Sequence, residues 1–113
     1  MRRSHVKLHT MKIMKIQYTV QPGFVEQNKQ NISGVMQELR SLDHPGIRYS
    51  AYLLEDGKTF MHFVMFKDEE ASAVITGLAS FKHFQSELKA GNPEVPPKFD
   101  NLAVVGSSFE LFN

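Results

Sequence analysis

The sequence predicts an α+β domain in which a four-stranded antiparallel sheet carries helices on one face. Three observations predict it. Residues 47–54 and 59–66 are two apolar, β-prone runs flanking the turn sequence EDGK, the signature of a hairpin. Segments on either side of that hairpin repeat apolar residues at helical spacing. A strand at each end completes the order β-α-β-β-α-β, and right-handed crossovers then put both helical segments on the same side of the sheet.

The elements follow in order. Residues 11–20, MKIMKIQYTV, place Met14, Ile16, Tyr18 and Val20 on one side and Lys15, Gln17 and Thr19 on the other, the period of a half-buried strand. QPGF breaks it. Val25, Ile32, Val35, Met36, Leu39 and Leu42 then share one helical stripe, with Gln27, Lys29, Glu38 and Arg40 away from it. DHPG ends that helix, because proline cannot continue it and glycine suits the exit.

In the hairpin, Asp56-Gly57 is a turn pair expected to take positive φ at both central positions. The turn sets a register in which Leu53 faces Phe60, Ala51 faces His62 and Tyr49 faces Val64. A second helical segment begins at KDEEA, whose acidic residues suit the positive helix end. Val74, Ile75 and Leu78 give its apolar side, and Gly77 and Ser80 predict a break before SFKHFQSELKAG, a further helix with Phe81, Phe84 and Leu88 aligned. GNPEVPPKFD is expected to be a proline-rich loop. NLAVVGSSFELF is expected to be the last strand, with Gly106 as a bulge or bend. This is the ferredoxin-like βαββαβ arrangement.

Strand 59–66, TFMHFVMF, is apolar on both faces: Phe60, Val64 and Phe66 on one parity, Met61, Phe63 and Met65 on the other. Helices can cover one face of such a strand. The other face would be an exposed apolar patch in a monomer, so the sequence predicts a homodimer whose sheets pack face to face. Arg48, Tyr52, Met61, Phe63 and Met65 are the expected interface residues, and arginine and tyrosine are common interface anchors.

Composition bounds the function. The 113 residues suffice for one domain with its own core. With no cysteine, neither disulfide nor thiolate chemistry is available, which fits a reducing, cytoplasmic setting. No apolar run is long enough to span a bilayer. The net charge of +1 is uneven: Arg2, Arg3, Lys7, Lys12 and Lys15 precede residue 16 with no acidic residue among them, leaving the rest of the chain at −4. Residues 1–10 are read as a flexible basic arm and residues 11–113 as the single domain. An acidic body disfavours nucleic acid. The RNA-recognition motif shares this element order, and FVMF at 63–66 matches the end of its RNP1 pattern. However, Phe60 and His62 stand at its small-residue positions and Met61 replaces a stacking aromatic.

The stretch PGIRYSAYLLEDGKTFMHFVMFKDEEA, followed by SFKHF and a final strand, resembles the dimeric α+β barrel superfamily. Within it, the nearest resemblance is to the antibiotic-biosynthesis-monooxygenase-like proteins, over roughly residues 12–112. The resemblance implies a homodimer closing a barrel, and a pocket in each subunit between sheet and helices. It also implies cofactor-independent oxygenation of a small aromatic or quinol-like substrate, with neither cofactor nor metal. The haem-degrading relatives rely on an asparagine, a tryptophan and a helical histidine. This chain has no tryptophan, no asparagine in IQYTV, and Ile75 where the helical histidine is expected, which argues against haem degradation by that mechanism.

His62 is the candidate of greatest interest, an imidazole on the face assigned to the helices. Ala51 opposite leaves it space and Tyr49 offers a hydroxyl. A neutral imidazole there can accept a proton from a phenol-like substrate or orient it, so His62 and Tyr49 are the candidate catalytic pair. The structural alternative is a core histidine bonded to a backbone group or a tyrosine. Tyr18, Ala51, Phe60 and Gln85 are the candidate substrate-binding residues. His83 is expected in solvent and His44 in the DHPG turn. His5 and His9 have i,i+4 spacing but no third ligand. A non-catalytic dimer binding a small apolar or aromatic molecule is the alternative function.

Overall fold

A computed structural model describes residues 11–112. The basic arm of residues 1–10, with His5 and His9, lies outside the described residues. The elements are β1 (Lys12–Thr19), a short 3-10 turn (Pro22–Phe24), α1 (Val25–Leu42), β2 (Ile47–Leu53), β3 (Thr59–Phe66), α2 (Glu69–Thr76), α3 (Ala79–Ala90) and β4 (Val95–Leu102). The strands form one antiparallel sheet in the order β2-β3-β1-β4. This is the ferredoxin-like arrangement, with the two central strands supplied by β3 and β1.

The hairpin has the expected register: Leu53 pairs with Phe60, Ala51 with His62 and Tyr49 with Val64. Its turn differs from the expectation. Gly57 alone supplies a positive φ in it, at 76°. Gly57 N–H donates to Leu54 O at 3.0 Å, closing a turn inside a four-residue loop. Asp56 contributes through its carboxylate instead. It accepts from Lys58 N–H at 3.0 Å, Thr59 N–H at 2.9 Å and the Thr59 hydroxyl at 2.5 Å. These bonds, strongest from the Thr59 hydroxyl, hold its pKa below the ordinary carboxylate value.

The last strand is the main correction. It runs through Val95–Leu102, the segment read as a proline-rich loop, while residues 103–112 form no regular strand. β4 is an edge strand paired only with β1, so prolines need interrupt just one ladder. Between the pairs Gln17–Lys98 and Thr19–Val95, Pro96 and Pro97 together oppose the single residue Tyr18. The two residues without an N–H thus occupy a bulge. Gly106 lies in the irregular tail. That tail returns to the sheet at Phe112, which is buried, with the Arg48 guanidinium 5.3 Å from its ring centroid.

Helix boundaries match the caps. Asp43 ends α1 in the left-handed region (φ 50°), its N–H bonded to Leu39 O at 3.0 Å. Asp68 caps α2 by accepting from Ala71 N–H at 3.0 Å. The start of α3 is capped from another helix: the Glu38 carboxylate of α1 accepts from Ser80 N–H at 3.2 Å and the Ser80 hydroxyl at 2.6 Å. That bond fixes α3 relative to α1.

The core lies between the helices and one sheet face, in two adjoining clusters. Tyr18, Val20, Val35, Phe60, Phe84 and Leu88 form one, and Ile47, Val64, Phe66, Ala71, Ile75 and Leu78 form the other. The buried side of α1 is Asn28, Asn31 and Val35, whereas Leu42, expected on the stripe, is 48% exposed at the helix end. β3 is fully buried on the helical side and half-buried at Met61, Phe63 and Met65 on the other.

Candidate functional site

The helical face of the sheet does not pack solidly against α2 and α3. A cavity of about 740 Å³ remains, floored by Met14, Ile16, Tyr18, Tyr49, His62 and Val64. Ile75, Phe81, Phe84 and Leu88 face it from the helices, and the bulged edge strand adds Pro96, Pro97 and Phe99. The polar lining is sparse: Ser72, Thr76, Gln85 and Asn92, with Lys89 the only charged side chain among the described residues. A cavity of this size and lining suits a small, largely apolar molecule.

Its floor carries a buried chain of hydrogen bonds. His62, 2% exposed, has both ring nitrogens engaged. The Tyr18 hydroxyl lies 2.8 Å from Nε2 and the Tyr49 hydroxyl 2.8 Å from Nδ1. Behind Tyr18, Asn28 Nδ2 donates to the same phenolic oxygen at 2.9 Å. Each member has a local reason for its place. Tyr18 and His62 lie on β1 and β3, two pairs out of step in the register (Tyr18–Phe60, Gln17–Met61, Ile16–His62), so both point to the helical face. Tyr49 sits diagonal to His62 across the hairpin, and Asn28 descends from the first turns of α1.

Burial sets the electrostatics. Loss of water pulls the His62 imidazolium pKa down from 6.5 to about 4, so the ring is neutral at pH 7. Burial raises the pKa of both tyrosines well above the ordinary 10.0, with the Asn28 bond partly opposing the rise at Tyr18 and the nearby Tyr18 adding to it at Tyr49. The chain is therefore uncharged, a set of neutral donors and acceptors at the base of an apolar cavity. Phe84 closes over the imidazole with ring centroids 5.5 Å apart. Among the described residues no cluster of three His, Asp or Glu side chains is placed to hold a metal ion.

His62, Tyr49, Tyr18 and Gln85 are brought together around the cavity. Phe60 is not in its lining: it stacks on Tyr18 at 5.7 Å and 14° within the core. Ala51 is also outside the lining, half-buried opposite His62 on the hairpin. The hydrogen-bonded alternative for His62 is observed too, with two tyrosines as partners. On the opposite sheet face, Tyr52 is 55% exposed and edge-on to Phe63 at 6.0 Å; Met61 and Met65 flank it, and Arg48 is exposed. His83 is exposed. His44 lies in its turn, accepting from Gly46 N–H at 2.9 Å.

Sequence reasoning missed Asn28. The available signal was phase, since Asn28 precedes Val35 by seven residues and Leu39 by eleven, on the buried side of α1. Pro96, Pro97 and Phe99 give no such signal, because the prolines of GNPEVPPKFD predict a loop.

Comparison with known proteins adds the fold and no more specific identity. No family model matches the sequence, and no curated protein matches it. Solved structures do match. A protein of Pseudomonas aeruginosa, PA3566, superposes with a TM-score of 0.73 at 18% identity, covering 91% of this chain and 100% of its own. A structure described as an antibiotic biosynthesis monooxygenase gives 0.70 at 12%, covering 85% and 99%. SnoaB of Streptomyces nogalater, described as a cofactor-independent oxygenase, gives 0.60 at 12%, covering 88% and 97%. Across nearly the whole domain, the chain shares the fold of these structures, the ferredoxin-like α+β arrangement that its hairpin and flanking helices predict.

Proposed function

We propose that the protein binds a small, planar, oxygen-bearing aromatic molecule in the cavity and oxygenates it with O2, without a cofactor. The observation that carries the reading is the cavity itself: some 740 Å³ of mainly apolar space whose floor is the Tyr18–His62–Tyr49 chain. Apolar walls suit an electron-rich ring, and the chain offers its oxygen one polar anchor. In such a reaction the substrate reacts as its phenolate. It passes an electron to O2, the radical pair combines to a peroxide anion, and that anion takes up the proton released when the phenolate formed, giving a hydroperoxide. Loss of water then turns a ring CH2 into a carbonyl, so one oxygen atom enters the product and the other leaves as water. The fold likeness to SnoaB, described as a cofactor-independent oxygenase, supports this reading.

The test is oxygen consumption with a panel of hydroxylated anthrones and 1-naphthols, in air and under nitrogen, with the product mass read for the added oxygen atom. Uptake is expected for at least one compound, with a loss of roughly tenfold or more in Tyr49→Phe and His62→Ala, the scale of a hydrogen bond to an ionised oxygen. No uptake across the panel would sink the oxygenase, and undiminished rates in both variants would sink the role given to the chain.

A second reading, binding of the same class of molecule without turnover, is favoured by one observation. Both nitrogens of His62 are already bonded and its basicity is low, which leaves no free imidazole as a base. Tight binding with no oxygen uptake would select it. In either reading we propose a homodimer through the sheet face of Arg48, Tyr52, Met61, Phe63 and Met65, supported by the exposure of Tyr52 and the apolar character of that face.

A further inference from the structure

The hydrogen-bond chain beneath the cavity has a direction. Its fixed point is Asn28, buried with no exposed surface, whose Nδ2 can only donate. Tyr18 Oη therefore accepts from Asn28. Tyr18 is 1% exposed, so its own hydroxyl proton needs a protein acceptor, and the atom in place is His62 Nε2 at 2.8 Å. A neutral imidazole carries a single N–H, so an accepting Nε2 puts the proton on Nδ1. Nδ1–H then donates to Tyr49 Oη at 2.8 Å. Tyr49 is left with a hydroxyl proton that has no acceptor among the described side chains, and Tyr49 lines the cavity.

The opposite polarity is worse at the buried end. Reversing the Asn28 amide would give its oxygen the Tyr18 proton but withdraw the one hydrogen bond that Nδ2 makes and turn both its protons to the unpartnered place of Oδ1. The observed orientation leaves Oδ1 unpartnered. Buried N–H groups without partners are rarer than under-satisfied carbonyl oxygens.

We propose that Asn28 is a positioning residue that orients the Asn28–Tyr18–His62–Tyr49 chain, so that Tyr49 offers the cavity a hydrogen-bond donor. The ligand it recognises carries an acceptor oxygen at that point, a quinone carbonyl or a phenolate, in preference to a bare hydrocarbon. The ligand class rests on the cavity being the binding site, as proposed above; the direction of the chain does not. Tyr49 thus touches the ligand, and His62 acts on it only through Tyr49. The low basicity of His62 fits a ring that passes on a donor and does not collect a proton.

Imidazole 15N–1H correlation spectra of the full chain at pH 7, with the His62 signals assigned by their loss in His62→Phe, read the direction without any ligand. Proton on Nδ1 is expected; proton on Nε2 overturns the proposal. In Asn28→Asp, read at a pH where the 13C shift of the new carboxyl shows it ionised, the carboxylate can only accept, so Tyr18 turns its proton to it and the tautomer reverses to Nε2–H. A folded Asn28→Asp protein that keeps Nδ1–H would remove Asn28 from the role. If that variant does not fold, the wild-type tautomer still decides.

Titration with 1,4-naphthoquinone and with naphthalene reads the ligand class. The quinone should bind about fivefold more tightly, the worth of a typical hydrogen bond, and Tyr49→Phe should erase the preference. Equal binding of the two by the wild type overturns the donor assignment. Binding of neither defeats the cavity as the ligand site, while the spectra still judge the chain.

Discussion

His62 is costly to the fold as well as central to the site. Its pKa is depressed from 6.5 to about 4 by burial, so the unfolded chain takes up a proton that the folded chain refuses between those values. Stability therefore rises with pH across that window and is lost as pH falls through it. The difference of about 2.5 pH units corresponds to about 3 kcal/mol at full effect. Unfolding free energies of wild type and His62→Phe, measured from pH 7 to pH 4, should diverge by that order, with the wild type losing more. Parallel curves would mean that the imidazole is already charged in the fold, or that water reaches it. Legibility at this scale was uneven. His62 stands out because it is the single polar residue on its parity of an apolar strand. Asn28 does not stand out, because an asparagine on a helix reads as solvent-facing until its partner is known, and that partner lies ten residues away on another element.

At the scale of elements, local chemistry predicted what local chemistry decides. The hairpin register was legible because the strand period and the loop length leave little freedom. The turn type was not, since Asp56 serves by its carboxylate and not by a positive φ. β4 was misread for a different reason. Prolines disqualify a central strand, but at an edge, opposite Tyr18 in a bulge, they cost little, and no local signal announces an edge. Two glycines make the distinction measurable. A Cβ at Gly57 or at Gly34 meets nothing within 4 Å, so packing is not at stake at either. Gly57 has a φ of 76°, and Gly57→Ala should cost about 1–2 kcal/mol of backbone strain. Gly34 lies inside α1, where Gly34→Ala should gain about 0.5–1 kcal/mol. Urea midpoints should move in opposite directions with unchanged slopes. A shift of the same sign in both would show that the turn does not hold the left-handed residue.

For the whole molecule, the two faces of the sheet pose different problems. The helical face is covered by three helices, which leave the cavity between themselves and the sheet. The other face ends in half-buried Met61, Phe63 and Met65, with Tyr52 largely exposed. The tail after β4 leaves Val105 and Phe109 in solvent and buries only Phe112 beside Arg48. Apolar surface of this kind is uncommon on a lone domain, and a second copy, as proposed, would cover it by symmetry at no cost in new sequence. Phe63 sits at the middle of that face, on a central strand, so a charge there would be desolvated in the dimer and solvated in the monomer. Native mass spectrometry at micromolar concentration should therefore find twice the chain mass for the wild type and the single-chain mass for Phe63→Lys. The helical core is untouched by that substitution, so the far-UV circular dichroism spectrum of the variant should stay that of a folded α+β domain. A wild type that runs as one chain would refute the interface. A Phe63→Lys protein that stays dimeric would move the interface off this face, with the exposed tail residues as the next surface to substitute.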